Sequence, residues 1–134
     1  MIDTIGKIEA GSIEILKQTQ ESVSFAPKIT KKMRCINWNW SAIKIHNWVR
    51  GLSPYPSMYT FLNGEIIKVF KTFTEKSSIR KPGEIIKINN DSILIGTGNN
   101  LLGLLEIQLE CKKKLFIKEY LKGSPIDKNS IFGK

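Results

Sequence analysis

Ile45, Trp48, Val49 and Leu52 recur at i, i+3, i+4 and i+7, the spacing that lines one face of an α-helix, and Ser41 stands where a hydroxyl would cap its first turn. Gly51 near the end and Pro54 and Pro56 beyond it forbid continuation, so the pattern predicts a short helix followed by a rigid, extended turn. After that turn the apolar runs shorten. Residues 58–62 and 65–74 flank Asn63-Gly64, the dipeptide a two-residue hairpin favours. Residues 84–88, 92–96 and 101–109 follow, with Pro82-Gly83 before the first, and Gly96, Gly98 and Gly103 are expected to supply tight bends where the strands close up. Five or so short strands and one packing helix predict a mainly β chain, an OB-like five- to six-stranded Greek-key barrel, partly open.

The two ends read differently. In residues 1–10, Ile2, Ile5 and Ile8 share one side of a short helix, and Gly11 suits a left-handed stop. Residues 12–24 alternate weakly and turn polar at Gln18, Thr19, Gln20, Glu21 and Ser22, as expected of an extended linker. The division is therefore 1–24, the end of an inter-domain helix plus linker, and 25–134, the barrel. A polar loop over 73–82 carries Lys76, Arg80 and Lys81. Near the C-terminus come a corner of Lys112, Lys113 and Lys114, a short helix over 117–122, and a tail whose Ile126, Ile131 and Phe132 are expected to tuck against the barrel.

Charge narrows the choice of partner. The chain has 21 Lys and Arg against 12 Asp and Glu, a formal +9 over 134 residues, which favours nucleic acid or an anionic surface and disfavours cations. The surplus is uneven: residues 22–64 contain no acid, and 25–56 hold six Lys or Arg and three Trp. The candidate nucleic-acid contacts are Lys28, Lys31, Lys32 and Arg34 in the lead-in segment and Lys112, Lys113 and Lys114 at the corner. Arg50 suits either RNA contact or the negative end of the helix dipole. Trp48 lies on the apolar helix face and Trp38 alternates with Ile36, so both are expected in the core rather than as stacking platforms; Trp40 has polar neighbours.

Catalytic and metal chemistry find no foothold in the pattern. His46 is the one histidine and has no acid between 22 and 64 to orient it, so a satisfied or solvent-facing ring is expected, not a general base. Cys35 and Cys111 form no Cys-x-x-C and predict no metal site. With no signal peptide evident after Met1 and no apolar run of ~20 residues, the expected setting is the reducing cytoplasm, with free thiols and no membrane.

A series of matches then identifies a resemblance. Phe25-Ala26-Pro27-Lys28-Ile29, Ile36-Asn37-Trp38, the helix from Ile45 to Arg50, Pro54-x-Pro56 with Tyr59 and Gly64, Pro82-Gly83, Gly96-Thr97-Gly98, Leu105-x-x-Gln108, Lys112-Lys113 and Leu121-x-Gly123 occur in the order found in the C-terminal domain of methionyl-tRNA formyltransferase. The resemblance runs from about residue 8 to the end. It implies a tRNA-holding domain that follows a Rossmann-type catalytic domain in the whole enzyme, with initiator Met-tRNA as partner and 10-formyltetrahydrofolate as the formyl donor used by that other domain. The family's Asn-x-His pair and Ser-Leu-Leu-Pro segment do not occur in these 134 residues, so no catalytic residue and no cofactor are expected here. Three departures stand out: Lys32 where an acid is common, Asn37 for the usual Asp, and Cys111 for a glycine, which would be strained if that glycine has positive φ.

Two rival functions stay open at this level. One is a scaffold or dimerisation domain of a sugar or folate formyltransferase homologue with no RNA role, for which +9 has no use. The other is a free-standing single-strand binder, for which Tyr59 and Phe61 are the candidate stacking pair.

Overall fold

The computed structural model describes residues 2–14, 16–17, 23–79 and 81–133, with Ile2 as backbone only. Of the predicted linker, Ile15, Gln18, Thr19, Gln20, Glu21 and Ser22 lie outside the described residues, as does Arg80 of the polar loop. Helix α1 spans Ile2–Glu9 and ends as its glycine suggested: the amides of Gly11 and Ser12 donate back to the carbonyls of Ile8 and Lys7, with Gly11 at φ +63°. Its Ile5 and Ile8 are more than half exposed.

Helix α2 (Ala42–Leu52) buries Ala42, Ile45, Val49 and Leu52 against strands β2 and β5, described next. Each large aliphatic side chain so buried contributes roughly 1.5–3 kcal/mol, which outweighs the weak helix propensity of an eleven-residue segment rich in β-branched residues. Trp48 sits on the flank of that face, half-buried, its ring 5.8 Å from that of Trp40. Ser41 is the N-cap residue but its hydroxyl makes no capping bond. The Ala42 amide, another of the free donors of the first turn, is received by the carbonyl of Asn99 at 3.0 Å.

The strands are β1 (Met58–Leu62), β2 (Glu65–Glu75), β3 (Ile85–Ile88), β4 (Ile93–Gly96), β5 (Leu101–Leu109) and β6 (Leu115–Phe116). They pair antiparallel in the order β1-β2-β5-β4-β3, with β6 added on β5. Because β3, β4 and β5 are joined as successive hairpins while β2 returns beside β5, the topology is a Greek key. Asn63 (φ +52°) and Gly64 (φ +81°) form the two-residue turn of the first hairpin and set its register, Leu62 opposite Glu65 and Tyr59 opposite Lys68. The glycines expected to bend the closing strands do something else. Gly98 has no positive φ; a side chain there would run into the carbonyl of Asn39, and its amide donates to the carbonyls of Trp38 and Trp40, locking the segment before α2 onto the β4–β5 corner.

Strand pairing leaves the barrel open between β1 and β3, the two ends of the sheet. The C-terminal tail spans that gap. Phe132 bridges Leu62 at the end of β1 and Ile131 bridges Glu84 just before β3, while the amides of Phe132 and Gly133 donate to the carbonyls of Gly83 and Phe61 at 2.8 Å. Phe132 is buried and its ring lies 5.7 Å from Trp38, which in turn donates from Nε1 to Thr60 Oγ1 at 3.0 Å. Helix α3 (Ile117–Gly123) buries Ile117 and Tyr120; burial, with a smaller effect of Glu65, raises the Tyr120 phenol above its ordinary value of 10.0.

Candidate nucleic-acid interface

The lead-in segment is extended and exposed over 23–30, then makes one 3₁₀ turn (Lys32–Arg34). Thr30 accepts the Met33 amide at its hydroxyl, a local bond that starts the turn. Directly after it, Cys35 bridges Tyr59 and the Ile36 amide donates to the Tyr59 carbonyl at 2.8 Å, so the chain docks along the free edge of β1 before Ile36 and Trp38 enter the core. The basic turn is thereby anchored from its C-terminal side.

Arg34 is part of that anchor. Its Nη1 donates to the Pro56 carbonyl at 2.7 Å, tying the lead-in to the turn after α2 and leaving its other N–H groups outside that bond. Lys31 and Lys32 are exposed, and Lys28 stands on the extended arm.

The second cluster sits on the β5–β6 turn. Gln108 Nε2 donates to the Lys112 carbonyl at 2.7 Å, and the Lys112 amide donates to the Leu109 carbonyl at 3.2 Å. Lys112 and Lys113 are exposed, whereas Lys114 lies over the Phe70 ring at 3.9 Å, a contact of about 0.5–1 kcal/mol at an exposed site. Cys111 has φ +59°, the left-handed conformation a glycine adopts freely. That conformation costs a side-chain residue ~1–2 kcal/mol, and a glycine gives back ~0.4–1 kcal/mol through the unfolded chain. Cys111→Gly is therefore expected to raise stability by about 1 kcal/mol in urea unfolding; equal or lower stability would show that the turn carries no strain.

What brings the two clusters together is the sheet. Tyr59 on β1 faces Lys68 on β2, and Lys68 faces Gln108 on β5, the residue that holds the lysine turn. Lys31, Arg34, Tyr59 and Lys68 line a cavity of about 160 Å³ with Ser57, Ile66 and Glu110, the residue that opens the lysine turn. Lys31 and Arg34 thus lie on the same side of the sheet as the turn, while Lys32 lines a different hollow with Asn37 and Trp38, and Lys28 lines neither. Lys68 was not among the expected contacts, although it is the outward residue between buried Ile67 and Val69, and strand alternation marks it.

None of the seven expected contacts nor Lys68 forms an ion pair among the described residues; the pairs there are Lys71 with Glu106 at 3.7 Å and Lys81 with Glu84 at 3.0 Å. Tyr59 is raised above its ordinary value of 10.0, by burial first and then by Cys35, which outweigh the lowering by Arg34, so it offers an O–H donor at neutral pH. Its ring meets Phe61 edge-on at 5.7 Å, and both are half-buried, so the two do not present a pair of parallel ring faces. His46 is satisfied: its Nδ1 shares a 2.9 Å hydrogen bond with Thr72 Oγ1. With Arg50 and Lys71 it lines a groove of about 400 Å³ between α2 and β2. Both cysteines are free, Cys35 half-buried and Cys111 exposed. No helix among the described residues is long and apolar enough to cross a membrane.

The chain is similar to methionyl-tRNA formyltransferase of Alkaliphilus oremlandii (39% identity over 131 residues, 97% of this chain and 42% of that protein). It is also similar to those of Clostridium novyi (36%, 98% of this chain, 43% of that one) and Clostridioides difficile (38%, 98% and 43%). It therefore spans less than half the length of these relatives. Among solved structures it shares the fold of HypX from Aquifex aeolicus, with a TM-score of 0.62 at 20% identity over 94% of this chain and 23% of that one. The family described as formyl transferase, C-terminal domain, matches residues 28–125, and the chain belongs to it.

Proposed function

We propose that this chain is the tRNA-holding domain of a methionyl-tRNA formyltransferase. The observation that carries the reading is that Lys31, Arg34 and Lys68 line one cavity across β1 and β2 and, like the lysines of the β5–β6 turn, form no ion pair within 4.0 Å among the described residues. Lysines there neutralise RNA phosphates and release counterions, so binding is strong, nearly independent of sequence and steeply salt-dependent. The domain positions a folded RNA by its backbone, because an A-form helix hides its base edges in a deep major groove. Selection of initiator Met-tRNA and transfer of the formyl group from 10-formyltetrahydrofolate fall to a separate catalytic domain in the parent protein, covalently joined through α1 and the linker, in the cytoplasm. The division 1–24 and 25–134 belongs to this proposal.

The fold likeness to HypX keeps a second reading alive, since one fold serves many functions: a scaffold for a formyltransferase that handles no RNA. Titrating the chain with tRNA, single-stranded RNA and a nucleotide sugar over a range of salt separates the two. The expected result is tightest binding to tRNA, with affinity falling about 10³-fold or more between 50 and 200 mM salt if six or more phosphates are contacted. Indifference to all three ligands below physiological salt overturns the RNA reading. No formyl transfer is expected from this chain alone.

A further inference from the structure

Resting on the RNA reading above, we infer that the small cavity between the lead-in turn and the β1–β2 hairpin is an oxyanion pocket that receives a single RNA phosphodiester, with Lys68 as its central cation. The cations come from different parts of the fold: Lys31 and Arg34 from the turn docked on the edge of β1, and Lys68 from the middle of β2. Against them stands one carboxylate, Glu110, so three positive groups and one negative leave a formal +2 around about 160 Å³. A cavity of that size has room for a phosphate group, and its net charge sets what it attracts.

The walls sharpen the electrostatics. The ring of Tyr59 and the side chain of Ile66 are half-buried and apolar, which lowers the local dielectric and strengthens attraction between the cations and an anion. Tyr59 stays protonated, so its hydroxyl is a neutral donor to phosphate oxygen. Arg34 is held by the Pro56 carbonyl through one nitrogen, which fixes its guanidinium while other N–H groups stay available. Lys68 pairs with no acid within 4.0 Å among the described residues, and its cross-strand neighbours Tyr59 and Gln108 are neutral. Glu110 limits the charge of the pocket and makes it weak for a free anion; the lysines 112–114, on the turn that Glu110 opens, supply the rest of the attraction only to a polyanion that spans both places.

The test compares the chain with Lys68→Gln and with Lys87→Gln, an exposed lysine on β3 at the other end of the sheet order. Each is titrated with tRNA at several salt concentrations and with inorganic phosphate, followed by amide chemical shifts. In the tRNA arm, Lys68→Gln is expected to weaken binding about tenfold and make the log–log salt slope shallower by roughly one, with Lys87→Gln unchanged. In the phosphate arm, weak saturable shifts are expected at residues 57–59, 66–68 and 110 in the unaltered chain, lost in Lys68→Gln only. If Lys68→Gln and Lys87→Gln behave alike, or phosphate shifts spread without saturation, the pocket is overturned while RNA holding by the domain stands. If phosphate saturates the pocket through Lys68 but tRNA does not bind, the phosphodiester assignment falls together with the proposed function.

Discussion

Phe132→Ala is expected to lower the unfolding free energy by about 3–5 kcal/mol, the range for removing a buried phenylalanine ring. For a domain whose total stability is ~5–15 kcal/mol, that is a large share, equivalent to a fall in Tm on the order of 15 °C. The effect is this large because Phe132 is only 3% exposed and sits where the two ends of the sheet meet, beside Trp38. The backbone bonds from Phe132 and Gly133 to Gly83 and Phe61 survive the substitution; deleting residues 131–134 removes those as well and is expected to cost more. Urea unfolding followed by tryptophan fluorescence measures both. An unchanged midpoint in the deletion would mean that the open edge between β1 and β3 is stable without its tail, and that the barrel does not depend on this clasp.

Reversing Lys112, Lys113 and Lys114 to Glu is expected to weaken tRNA binding on the order of a hundredfold or more, because three favourable phosphate contacts become three repulsions. Fold stability should change little. The turn is held by backbone and Gln108 bonds that the lysine heads do not make, and the structural interaction that disappears is that of Lys114 with the Phe70 ring, about 0.5–1 kcal/mol. Reversing Lys112 and Lys113 alone leaves even that interaction in place. Filter binding or fluorescence anisotropy, read beside a urea midpoint for each variant, separates the roles. Full affinity with a lowered midpoint would assign the lysines to structure and remove the turn from the interface.

Much of this molecule is legible in local pattern. Two strands, Met58–Leu62 and Leu101–Leu109, fall where the alternation and the turn residues put them, and β2, β3 and β4 differ by a residue at one end. Asn63-Gly64 carries more than a boundary: a two-residue turn that pairs Leu62 with Glu65 also pairs Tyr59 with Lys68, so the juxtaposition of two residues of the proposed pocket could have been read from that dipeptide. Two local readings fail: Ser41 makes no side-chain cap, and Gly98 serves a close approach to Asn39 rather than a bend. Arg34 adds a bond that no local pattern marks, from Nη1 to the Pro56 carbonyl of a distant segment.

The candidate site shows the same limit at larger scale. Which residues are basic, and that no acid lies between 22 and 64, is plain in the chain; that the lead-in turn and the lysines at 112–114 share one side of the sheet is not. Their approach depends on β2 pairing with β5 across the Greek key, with irregular register between Val69 and Thr72, which no local pattern marks. The chain by itself determined its mainly β character, its hairpin register and its positive charge, because turn chemistry, periodicity and composition act over a few residues, and an ordered series of motifs carried the likeness to its family. Tertiary structure alone decided that the tail would span the gap between β1 and β3, that Arg34 would be tethered and that Lys68 would line one cavity with Lys31 and Arg34, because burial and long-range pairing choose among contacts that local preference leaves equal.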